Sequence, residues 1–135
     1  YHAMLGERLP ILRSSLGRAY LAAIAAIDPA RLQAVLGELA RRAAVLKIDT
    51  DDLKQVHEVI AQTHARGHAI NSDVAEARFS SVGVAVLCGQ HVLGAVNLVF
   101  TKQLPDAPSI DHRYIERLKA LALDVGAGAK SWVQG

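Results

Sequence analysis

The stretch PILRSSLGRAYL (10–21) carries the densest set of residues able to do chemistry. Arg13, Ser14, Ser15 and Gly17 crowd together just before an apolar run. Four uses are open to such a cluster: a phosphate cradle, a nucleophilic serine, a helix cap, or a seat for a small anion. A phosphate loop needs G-x-x-x-x-G-K-[ST] directly after a strand, and neither is present. A nucleophile elbow needs G-x-S-x-G, also missing. A catalytic serine further requires a base, and nothing in the sequence nominates one. The cap and the anion seat remain, and they are compatible. A serine oxygen can satisfy a free backbone N–H at a helix start. The remaining N–H groups, with the Arg13 guanidinium, can then hold a carboxylate.

Two other groups of residues could do chemistry. The six histidines invite a metal site. His57 and His64 stand two helical turns apart, and Gly67 separates His64 from His68. No H-E-x-x-H pattern occurs, because position 61 is not histidine. Solvated or core histidines are expected, with no metal and no cofactor. Asn97, by contrast, interrupts the apolar run VLGAVNLVF. In a strand, Leu93, Ala95, Asn97 and Val99 share one face, while Val92, Gly94, Val96, Leu98 and Phe100 share the other. Ser81, Gly83, Ala85 and Leu87 likewise alternate with Val82, Val84, Val86 and Cys88. Small residues on one face leave room above the sheet. A polar Asn there serves either a neighbouring loop or a small-molecule pocket.

Elements of both kinds must position these residues. Residues 1–9 read as extended. Ser14 or Ser15 caps a helix over about 16–26. Asp28-Pro29 opens a second helix with Leu32, Val35, Leu36, Leu39 and Ala43 at helical spacing. Asp49 or Thr50 caps a third, which buries Leu53, Val56, Val59, Ile60 and Thr63 and stops at Gly67. Residues 68–72 are expected to be extended, and 79–88 and 91–101 to form two strands. Gly89-Gln90 between them suits a type II′ hairpin. After the loop PDAPSID, Asp111 caps a last helix with Ile115, Leu118, Leu121, Ala122 and Val125 inward. The order predicts an α+β fold, an antiparallel sheet with packed helices.

Composition limits the partners. The chain has 135 residues, about one domain, and 51% of them are hydrophobic, enough for a core. Lys plus Arg number 15 against 13 Asp plus Glu, so the net charge is only +2. With 4% aromatic residues as well, neither a basic surface nor a base-stacking platform for nucleic acid is expected. No apolar run is long enough to span a membrane. The single cysteine, Cys88, fits a reducing compartment, and a cytoplasmic location is expected. The abrupt start YHAML points to a piece of a longer protein.

Three segments carry a family resemblance. RLPILRSSLGRAYLA (8–22) resembles the P-x-x-[ST]-x-x-G-[KR]-A-x-L-A segment of the IclR family of bacterial transcription regulators. ARGHAINSDVAEARFSSVGVAV (65–86) is similar to its R-G-[YF]-A-x-[DN]-x-E-E … C-x-A-x-P-[VI] segment. LGAVNLVF (93–100) resembles its A-A-L-S-[VI]-S-G strand. The resemblance implies an effector-binding domain with a GAF-like fold over 1–135, shortened at its N-terminus and not an enzyme. It also implies a homodimer or homotetramer that binds a small organic acid. DNA would be contacted only through a winged helix-turn-helix outside this chain. R-L-P-x-L-R-S-S is most like members that control aromatic-acid catabolism.

Positions of the family's pocket fall on particular residues here. The helix-start pair falls on Ser15 and Leu16, the acidic position on Asn71, and the pocket cysteine on Ser81. The two serines of the last strand fall on Asn97 and Val99. Ser15, Asn71, Ser81 and Asn97 are therefore expected to orient an effector, Leu16 and Val99 to pack on it, and Arg13 to take its carboxylate. The alternative is a dimerisation module that binds no small molecule.

Overall fold

The computed structural model describes residues 11–71, 79–101 and 112–133. Its elements run α1 (Ser15–Ile27), α2 (Pro29–Arg41), α3 (Ala43–Leu46), α4 (Thr50–Arg66), β1 (Ala69–Ile70), β2 (Phe79–Cys88), β3 (His91–Thr101), α5 (His112–Gly128) and α6 (Lys130–Val133). The fold is α+β. The sheet is antiparallel throughout, in the order β1-β2-β3.

Local chemistry explains the boundaries. Ser14 caps α1, its Oγ accepting from the Gly17 N–H at 3.0 Å. Asp28 caps α2 with Pro29 in the first turn, and Asp49 caps α4. Gly67 ends α4 at φ 86°, a conformation that costs glycine little. The hairpin turns at Gly89, with φ 58°, while Gln90 keeps a negative φ, as a type II′ turn requires. The expected extended segment at 1–9, the expected loop at 105–111 and the Asp111 cap lie outside the described residues.

The two faces of the sheet meet different partners. Ser81 pairs with Val99, Gly83 with Asn97 and Ala85 with Ala95, so these six share the face under α1. Val82 and Val84 pair with Leu98 and Val96 on the opposite face, where Val82 packs with Ile115 and Leu118 of α5. A bulge between Val86 and Leu87 shifts the register. Beyond it, Val92 packs on the α1 side against the core cluster to which Leu21 and Ile24 belong.

Helix α1 lies inside the molecule. It buries Ser15, Gly17, Ala19, Leu21, Ala22 and Ile24, with the sheet on one side and α2 and α4 on the other. Leu32, Leu36 and Val56 complete that core. Two expectations for the helices need correction. Leu121 and Val125 point outward from α5, 51% and 45% exposed, while Gly126 takes the inward place against the Leu87 carbonyl. The second helix also ends at Arg41 rather than running through Ala43, which starts the separate turn α3.

Candidate functional site

The first turn of α1 rests on strand β2 at Gly83. A Cβ at residue 83 would stand 2.5 Å from the Ser15 carbonyl oxygen, so only glycine lets the helix come this close. This approach brings Ser15 down onto Ser81. The Ser81 Oγ–H donates to the Ser15 Oγ at 2.7 Å, and Ser15 is 1% exposed. A buried hydroxyl needs such a partner. Asn71, at the end of β1, completes the cluster: its Oδ1 accepts from the Ser81 N–H at 3.0 Å. Its own N–H reaches the Ser81 carbonyl.

Ser15, Ser81 and Asn71 were thus expected in one site and stand together, linked by hydrogen bonds. Asn97 and Val99 lie on the neighbouring strand, on the same face, opposite Gly83 and Ser81. Asn97 is half-buried, whereas Val99 is 48% exposed. Leu16, half-buried, follows Ser15 in the first turn. Among the described residues, the N–H groups of Ser15 and Leu16 have no acceptor, since Ser14 serves only that of Gly17. The positive end of the helix dipole therefore opens beside the serine pair.

Arg13 has a different setting from the one expected. Its Nε–H donates to Asp52 Oδ2 at 2.6 Å, and its Nη2 lies 3.5 Å from Asp49 Oδ2. The hydrogen bond and charge of Asp52 raise the pKa of the guanidinium further. The pair ties the turn before α1 to the start of α4. Sequence reading missed Asp52 because it stands 39 residues away, in a helix whose first-turn acids already have a local role.

Arg18 was missed as well. Helical side chains slope toward the N-terminus, so Arg18 reaches back along α1. Its Nε–H donates to the Leu12 carbonyl at 2.9 Å and its Nη1 to the Ile70 carbonyl at 3.2 Å. Burial pushes its pKa down, the charges of Arg13 and Arg66 add to that, and Asp52 opposes it.

At the far end of α1 a cleft of about 220 Å³ is lined by Asp28, Arg31, Gln90 and His91 among others, and holds none of the expected site residues. No described helix is long and apolar enough to cross a membrane. Among the described residues, no three His, Cys, Asp or Glu side chains gather as metal ligands.

Among the described residues, a three-stranded antiparallel sheet lies between helices, with a polar seam under α1, which makes this an α+β domain. A crystal structure from Rhodococcus sp. RHA1, described as that of a transcriptional regulator, superposes with a TM-score of 0.64 at 22% identity. The match covers 93% of this chain and 49% of the other, so this chain spans about half the length of that protein. No curated protein sequence matches. The family model "Bacterial transcriptional regulator IclR C-terminal" matches residues 1–127, and the chain belongs to that family.

Proposed function

We propose that this chain is the ligand-sensing domain of an IclR-type transcription regulator and binds a small carboxylic acid. The observation that carries this reading is the meeting of Ser15, Ser81 and Asn71 beside the α1 N-terminus. The hydroxyl pair and Asn97 supply hydrogen bonds, and the helix start supplies positive potential. Leu16 and Val99 supply apolar surface to an aromatic or aliphatic body. Asn71 holds Ser81 in place, and Arg13 holds the start of α1 against α4. Signalling requires the acid to bind two arrangements of the regulator unequally. DNA contact belongs to a helix-turn-helix domain elsewhere in a cytoplasmic parent protein.

Thermal-shift titration against aromatic and short-chain carboxylic acids tests the reading. At least one acid should raise Tm in a concentration-dependent way, because a ligand that binds only the folded state stabilises it. A flat response to every acid in the series rejects acid sensing.

One observation favours the second reading, a module that only assembles the regulator. Tyr114, Leu121 and Val125 form an exposed stripe along α5, at spacings of seven and four residues. Such a stripe suits a homodimer or homotetramer contact. Sedimentation of wild type and of Leu121→Glu distinguishes an assembling stripe from an ordinary solvated one.

A further inference from the structure

Arg13 and Arg18 both stand near the start of α1, yet their charges are handled differently. Arg13 is held by the carboxylates of Asp52 and Asp49. Arg18 is tethered by two backbone carbonyls, those of Leu12 and Ile70, and pairs with no carboxylate among the described residues. Carbonyl oxygens fix its position, and Asp52 acts on its charge through space without pairing with it. A guanidinium has five N–H donors, and two are used here. A partly buried cation with donors to spare gains strongly from a carboxylate, which charge-assisted bonds would hold.

The tethers also decide where that charge stands. Ile70 immediately precedes Asn71, whose side chain holds the Ser81 N–H, and Ser81 in turn holds Ser15. The Leu12 carbonyl belongs to the turn just before the helix. The guanidinium is therefore level with the first turn of α1, on the β1 flank of the serine pair. Asn97 and Val99 flank the same pair on the β3 side.

We infer that Arg18 is the residue that selects an anionic ligand at this site, receiving the carboxylate while the Ser15–Ser81 pair and Asn97 meet the rest of the molecule. This rests on the acid-sensing reading above and adds a specific anchor to it. Arg13 is then a positioning residue. Its bond to Asp52 keeps the turn in place, and an acid need not displace Asp52 in order to bind.

The experiment compares benzoate with its neutral isostere benzamide by calorimetry, on wild type, Arg18→Gln and Arg18→Lys. Wild type should prefer benzoate by tenfold or more, as expected for a charge-assisted pair. Arg18→Gln should lose most of that preference, and Arg18→Lys should retain part of it. The ratio of the two affinities within one variant is insensitive to a general loosening of the fold. Should Arg18→Gln not fold, NMR of wild type gives the answer: the Arg18 Nε–H resonance, identified with the help of Arg18→Lys, should move with benzoate and stay with benzamide. Failure of wild type to bind benzoate or any other acid in the thermal-shift series overturns the acid-sensing reading and this inference together. Acid binding with an unchanged preference in Arg18→Gln, or with a still Arg18 resonance, overturns the Arg18 assignment alone.

Discussion

The two faces of strand β2 are written by alternate residues of one ten-residue segment, yet they do different work. On the α5 face Val82 is 1% exposed and packs with Ile115, Leu118, Val84, Val96 and Phe100. On the α1 face Ser81 and Gly83 hold a polar contact with the start of a helix. Both helices are pressed onto strand backbone by a missing side chain, but the glycine has changed sides. It lies on the strand under α1, at Gly83, and on the helix at Gly126, against the Leu87 carbonyl. The α5 face is a core seam whose only demand is volume. The α1 face must satisfy each polar group it buries, and that requirement leaves organised hydrogen-bonding groups where a ligand can use them.

The largest expected effect follows from the close approach on the α1 face. In Gly83→Val, a Cβ would meet the Ser15 carbonyl at 2.5 Å, a main-chain atom with no rotamer to change. We expect a loss of about 3 kcal/mol, the upper end of the overpacking range, or failure to fold. Denaturant melts would show it. A value below about 1 kcal/mol would mean that α1 lifts easily, and the polar seam would then not be a fixed site.

Val82→Ala tests the other face. Removing two buried methyl groups from a packed seam should cost about 2 kcal/mol, through lost burial and a small cavity. It should leave acid binding unchanged, because Val82 points away from Ser15 and Ser81. A change in acid affinity comparable to the stability change would show that the two faces act as one unit.

Much of this division was legible in the sequence because it is local. The caps at Ser14, Asp28 and Asp49, the stop at Gly67 and the alternation along 79–101 depend on near neighbours. The faces of Ser81, Gly83, Asn97 and Val99 followed from a period of two. What escaped depends on distance along the chain. Arg13 finds Asp52 across 39 residues, and Arg18 finds Ile70 across 52. Leu121 and Val125 have the spacing of an inward stripe. The small residues Ala122 and Gly126 instead let α5 approach the sheet, so the larger side chains turn out. Periodicity gives the stripe and leaves open which edge of it meets the sheet.

The serine pair allows a finer test. Ser81→Ala removes the Ser15 hydroxyl's donor while Ser15 stays buried, so it should cost about 1 kcal/mol. The double variant with Ser15→Ala should cost little more than either single change, because it removes both partners of one bond. A double-mutant cycle in thermal denaturation reads this coupling. Strict additivity would show that the bond contributes nothing, and the α1 face would lose its distinguishing feature.

The smallest effect comes from a polar residue on the apolar side. His68 precedes β1, and its Nδ1 is buried with no hydrogen-bond partner among the described residues. Burial lowers its pKa, the positive charges of Arg66, Lys119 and His112 lower it further, and Glu116 opposes them weakly. The unfolded chain, with histidine near its ordinary value of about 6.5, then binds a proton more readily than the folded one. Stability is therefore full above that value and falls as pH drops from about 6.5 toward the folded pKa. His68→Leu should flatten this part of the Tm–pH curve. It should also leave Tm at pH 8 unchanged or higher, because an apolar group replaces an unmet polar atom. A lower Tm at pH 8 would mean that the imidazole is satisfied after all, and that both faces of the sheet obey the same rule for buried polar groups.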